Sequence, residues 1–361
     1  MNQVMMMIIA AGAVLGGLDK IFGNRFGYGE KFEEGFRLLG PTALSMTGLI
    51  CLAPVLADVL GRVIVPFYRV IGVDPAMFGS VLSIDMGGYQ LAKELAVDGR
   101  VGSYAGIVVS AMFGCTLVFT IPVGMNMIPK EDRKFFARGI MLGTAAMPAG
   151  LIAGGFLAGL SFPECLRQNL PVFAAVFLLV LGLWKIPDKM VKGFCVLADG
   201  IQILITAGLI LAAVEYFIGW NPVPGMAPIE EAMSVVASIG IVMLGSFPAA
   251  ELLCRILEKP FTWLGGKLGI GSRGLTGMLT GLVSAMLVFS MYRDMDEKGK
   301  TALGAFLVGG TSLLSAHMGF VLGTEPEMLS ALMGGKICAA AAAVIASLIF
   351  GGSFVEKSRF L

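Results

Sequence analysis

Eleven apolar stretches follow one another along this chain, most of them close to the ~20 residues a helix needs to cross a bilayer. They fall near residues 4–18, 38–60, 75–96, 101–123, 139–160, 170–186, 193–218, 232–257, 275–291, 302–322 and 328–350. A water-soluble fold would have to hide nearly all of them at once. With 57% of residues apolar, 14% charged and 50 glycines, the composition suits close-packed helices in lipid. The expected fold is an all-α polytopic membrane protein, one domain over residues 1–361. The first stretch has no basic residue before it and no clear cleavage site after it, so it reads as a mature helix. The six cysteines form no C-x-x-C pair and suggest neither a disulfide framework nor a zinc site. A net charge of +1 with no basic tail gives nothing to hold nucleic acid.

The chain also reads as a duplication. Glu33-Glu34 opens the second stretch and Glu230-Glu231 the eighth, 197 residues later, while Pro54, Pro66 and Phe67 recur as Pro248, Pro260 and Phe261 at a spacing of 194. The expected pseudo-repeats are about 1–160 and 193–352, joined by a linking helix over 170–186. Their relative orientation can be read from Lys and Arg, which favour the cytoplasmic side of short loops. If all eleven stretches cross, the basic residues divide 13 against 12 between the two sides, Lys336 aside, which is no bias. If 75–96 and 275–291 dip in and return, the division becomes 20 against 5. About nine spanning helices and two re-entrant hairpins result, the repeats become inverted, and the arrangement suits an alternating-access carrier, elevator-type included. Arms of about ten residues reach roughly 15 Å, so both tips fall near mid-membrane. The alternative is eleven spans, two of them kinked.

Asp85-Met86-Gly87-Gly88 interrupts one of these stretches with a carboxylate and two helix-breaking glycines. A charge at bilayer depth costs a few kcal/mol, and broken backbone there survives only beside protein or a watery cavity. A helical arm ending at such a tip presents carbonyls, so tip and Asp85 together favour a small cation. Tyr89 and Phe78 would add an aromatic face for an ammonium group. Asp85 as a simple turn cap, and Phe78 as core, are the bland alternatives. Thr280 and Ser284 sit at the opposite tip. Asp199, before Gly200, is the second acidic candidate; its competing role is to pair with Lys336. His317, the only histidine, is a candidate for proton coupling, against the commoner role of a satisfied core imidazole. Glu251 and Arg255 read as an i,i+4 pair. Gly269, Gly271 and Gly274 spell G-x-G-x-x-G, but lack the strand and crossover that a dinucleotide fingerprint needs.

Phe32-Glu33-Glu34-Gly35-Phe36, Leu52-Ala53-Pro54-Val55-Leu56-Ala57, Pro75-Ala76-Met77-Phe78, Asp85-Met86-Gly87-Gly88, Lys93-Glu94-Leu95-Ala96 and the run from Asp294 to Lys300 together resemble the ethanolamine-utilisation permease family, EutH. The resemblance implies uptake of ethanolamine through the bacterial inner membrane, with no resident cofactor. Such a carrier would work alone or be coupled to a proton or sodium gradient. Ethanolamine is mostly protonated at neutral pH, like other alkyl amines. Asp85 would then take the ammonium, and the tip carbonyls, Thr280 or Ser284 the hydroxyl. By analogy with elevator carriers, a homo-oligomer is expected.

Three other readings compete. A channel for the neutral amine would need a continuous pore, and a carrier of another small cationic metabolite would use the same site. An intramembrane enzyme is disfavoured because no serine, histidine and acid constellation is evident. A nucleotide-driven pump would need a P-loop, and the sequence has none.

Overall fold

The computed structural model describes residues 2–82, 86 and 88–351, and every element among them is helical. The chain opens with α1 (Asn2–Ile21), α2 (Tyr28–Arg37) and α3 (Leu39–Val70). Two short helices follow, α4 (Ala76–Gly79) and α5 (Gly88–Leu95). The next span runs from α6 (Gly99–Ser103) through wide π-helical turns into α7 (Ile121–Met127). Then come α8 (Arg133–Leu157), α9 (Phe162–Gln168), α10 (Leu170–Lys185), α11 (Pro187–Ile218) and α12 (Ile229–Leu268). The last part comprises α13 (Ser272–Val283), α14 (Ala285–Met291), α15 (Glu297–Gly310), α16 (Ala316–Thr324) and α17 (Leu329–Phe350). Among the described residues, seven helical segments are long and apolar enough to cross a membrane, or eight if α9 and α10, bent by 56°, count as one span. The protein is thus an all-α, multi-pass integral membrane protein.

Both glycine-broken stretches fold back on themselves. Asp74 precedes α4, and its carboxylate accepts backbone N–H bonds from Ala76 at 2.9 Å, Val97 at 3.1 Å and Asp98 at 2.8 Å. The chain therefore leaves α5 where it entered α4. In the second stretch Asp296 accepts from Gly271 N–H at 3.2 Å and caps α15 through Gly299 N–H at 3.2 Å, while Arg273 pairs with Asp294. Each hairpin is closed at its base by an aspartate, because an ionised carboxylate binds backbone N–H groups more strongly than a neutral acceptor does.

Each hairpin also packs against the irregular part of the span that follows it. The first lies on the π-helical turns of 104–120; the second docks on the break between α15 and α16. Two helix crossings bring backbones into direct contact: Gly12 of α1 meets Gly245 of α12, and Gly208 of α11 meets Gly48 of α3. Any side chain at these glycines would overlap the facing backbone, so small residues there let the helices close without a hydrophobic driving force. Helices α8, α15 and α17 form the tightest part of the core.

Candidate functional site

The first hairpin shares a polar cluster with α6 and the end of α16. Gly106, on the π-helical turns, leaves room for Tyr89; a Cβ there would stand 2.9 Å from the Tyr89 ring. The ring meets Phe320 of α16 edge-on at 5.3 Å, and its hydroxyl donates to Glu325 Oε2 at 3.1 Å. Glu325 Oε1 accepts from Ser103 Oγ at 2.6 Å and pairs with Lys93 Nζ at 3.3 Å. Four side chains from α5, α6 and the end of α16 thus form one closed network around a carboxylate whose side chain is 16% exposed. At the hairpin base, outside the spans, the Arg100 guanidinium beside Asp98 holds that carboxyl below the usual carboxylate range.

Beside the network lies a cavity of about 270 Å³. Met46 and Ile50 of α3, Val235 of α12 and Phe320 of α16 make its apolar wall. Gln90, Tyr89, Ser234, Ser238 and Thr324 bring polar atoms to it from three elements. Met86, next to the hairpin break, also lines it, buried and in the left-handed region at φ 71°. A bulky residue pays for that conformation, a strain found preferentially at ligand sites.

The second hairpin breaks at Ser284, whose backbone is extended. Three carbonyls around that break are satisfied by the discontinuity between α15 and α16: Gly281 O accepts from Ser312 N–H at 2.9 Å, Leu282 O from Leu314 N–H at 2.9 Å and Val283 O from Ser315 Oγ at 2.5 Å. This is how broken backbone is tolerated inside a bilayer. Immediately beyond, fully buried Lys336 of α17 contacts His317 Nδ1 at 3.0 Å and donates to Ala111 O of the π-helical turns at 3.1 Å.

Of the residues singled out in the sequence, Met86 and Tyr89 line the cavity, and Gly88, buried, starts α5. Asp85 and Gly87 lie outside the described residues. Phe78 packs on Ala53, Leu91 and Leu95, so it belongs to the apolar core and not to an aromatic cage. Thr280 and Ser284, half-buried at the other hairpin, do not line the cavity. Asp199 is exposed on α11, and its competing role, a pair with Lys336, is not the one seen: that amine contacts His317 and Ala111. Glu251 and Arg255 do pair, at 2.7 Å. Glu325, Lys93, Gln90, Ser234 and Ser238 were not anticipated. Glu325 follows an apolar stretch, where an acid looks like an ordinary loop residue, and only the tertiary fold turns it inward.

The family model described as "Ethanolamine utilisation protein, EutH" matches residues 1–350. The chain belongs to the EutH family. Among curated EutH-like proteins it is 37% identical to the "Probable ethanolamine permease EutH" of Listeria monocytogenes serotype 1/2a (strain 10403S), over 99% of this chain and 96% of the relative. It is 36% identical to the protein of the same name in Salmonella typhimurium (strain LT2), over 95% of this chain and 94% of the relative. The "Uncharacterized protein YxeR" of Bacillus subtilis (strain 168) is 35% identical over 96% and 94% respectively. No solved structure matches the EutH-family chain.

Proposed function

We propose that this EutH-family protein takes up ethanolamine across the bacterial inner membrane by alternating access, binding it in the cavity between α3, α5, α12 and α16. The observation that carries the reading is that cavity: apolar side chains on one side and convergent polar groups on the other, set against a helix break. The substrate is a two-carbon amino alcohol, mostly a cation at neutral pH. Its ammonium calls for an anionic or carbonyl-rich wall. Asp85 is the chain neighbour of Met86, which lines the cavity, and Glu325 follows Thr324, which lines it too. Asp85 takes the ammonium, and the hydroxyls of Ser234, Ser238 or Thr324 meet the substrate hydroxyl. The names of the EutH relatives support the choice of substrate.

Alternating access is supported by the two hairpins, each packed on an irregular span, and by the reciprocal glycine crossings. Gly12 and Gly208, and likewise Gly48 and Gly245, are related by nearly the repeat spacing read from the sequence, and Gly12 meets Gly245 as Gly208 meets Gly48, an exchange expected of two halves that embrace one another. Lys336 and His317, buried between the π-helical turns and the second break, are the groups through which a proton would couple to the cycle.

Uptake of labelled ethanolamine into liposomes holding the purified protein tests the reading, with pH and sodium gradients imposed separately. Saturable uptake that follows the cation as external pH changes supports a carrier. Non-saturable flux that follows the free base would indicate a channel.

A further inference from the structure

A second, larger cavity opens at the far end of the 99–127 span from the Glu325 network. It measures about 1070 Å³ and lies between the end of α7, the start of α8 and the elbow joining α10 to α11. Helix ends meeting at one level mark a membrane–water boundary, and Trp184 stands there, as interfacial tryptophans do. Lys130, Arg133, Lys134, Arg138 and Lys192 line the cavity with a single acid, Asp188. None of the five is in an ion pair among the described residues. Arg133 and Arg138 are half-buried and use one nitrogen each on a backbone carbonyl, of Ile128 and Gly351.

Five like charges around one open space repel one another unless an anion sits among them. The deeper wall is apolar, with Met125, Met141, Leu183 and Val196. A small soluble anion would satisfy the cations and leave that wall wet. We propose that the cavity holds an anionic phospholipid of the cytoplasmic leaflet, its phosphodiester among the Lys and Arg side chains and an acyl chain along the apolar wall. Basic pockets between helices on that side of a membrane protein are suited to such headgroups. The Lys and Arg distribution of the whole chain assigns this end to the cytoplasm.

The test uses the full-length protein in a neutral detergent and follows thermal unfolding with added phosphatidylglycerol, phosphatidylcholine or inorganic phosphate. Phosphatidylglycerol is expected to raise Tm by about 3 °C or more, as a ligand of the folded state does. Phosphatidylcholine and phosphate are expected to give no comparable rise. The combined variant Lys134→Gln, Arg138→Gln, Lys192→Gln should lose the response. An equal rise with phosphatidylcholine, a rise with phosphate alone, or a full response in the combined variant would overturn the proposal. Should that variant not fold, native mass spectrometry of the wild-type protein and of Met141→Trp decides. Bound phosphatidylglycerol is expected on the first and at least tenfold less on the second, and equal retention by both contradicts the assignment.

Discussion

Lys336 Nζ lies 3.0 Å from His317 Nδ1, and its other partner is the carbonyl oxygen of Ala111 at 3.1 Å. As an ammonium Lys336 can only donate, and Nδ1 of His317 is then the acceptor. No carboxylate bonds to this amine among the described residues, although it is fully buried. A buried charge without a counter-ion costs several kcal/mol, so an arrangement of this kind is retained for function more readily than for stability.

Lys336→Met follows from that relationship. Matching the volume while removing the charge is expected to leave Tm unchanged or higher. Ethanolamine uptake by the variant should fall at least tenfold or lose its dependence on a pH gradient. Thermal unfolding and liposome uptake on the same preparation separate the two effects.

Glu325→Gln keeps the shape of the network but removes the charge facing Lys93. The expectation is a loss of about 1.5–3 kcal/mol of stability, the range for hydrogen bonds to charged groups, with uptake reduced roughly tenfold. Unfolding of the purified variant and its initial uptake rate check both parts. Tyr89→Phe, which loses only one bond to the same carboxylate, should be milder on both measures.

The two hairpin clasps are predicted to differ in strength. Asp74 is buried and holds three backbone N–H groups, that of Ala76 buried as well, so Asp74→Ala should cost about 1–3 kcal/mol, because an orphaned buried donor carries its full desolvation penalty. Asp296 is exposed, and water can replace it, so Asp296→Ala should cost distinctly less. Thermal unfolding of both variants, with limited proteolysis of the 75–98 segment, reads the difference.

The glycine crossings give a steric prediction. Gly48→Leu or Gly245→Leu places side-chain atoms where the opposite helix backbone runs, and little folded protein is expected. A Cβ at Gly200 meets nothing within 4 Å, and Gly200→Leu should express at the wild-type level. Size-exclusion chromatography of detergent extracts compares them directly.

Much of this architecture was legible in the sequence because apolar length and loop charge are properties of the chain itself. The balance of Lys and Arg already separated hairpins from spans at 75–96 and 275–291, and the bases closed by Asp74 and Asp296 agree with that division. What one sequence does not carry is which face of a helix looks inward. Asp199 and Lys336 are both intramembrane charges, yet one turns outward on α11 and the other is sealed in α17. Phe78 was one arm away from the break and still faces Leu91 and Leu95. Glu325 went unnoticed for the converse reason: it stands outside any apolar stretch, and only its bonds to Tyr89, Ser103 and Lys93 draw it into the interior.

The most direct measurement is equilibrium binding of labelled ethanolamine to the purified protein, set beside Ser238→Phe, which fills the cavity, and Asp85→Asn, which removes the acid next to Met86. Saturable binding by the wild type, with at least a tenfold loss in each variant and normal unfolding in both, is the predicted result. Undiminished binding by the cavity-filled protein would contradict the account.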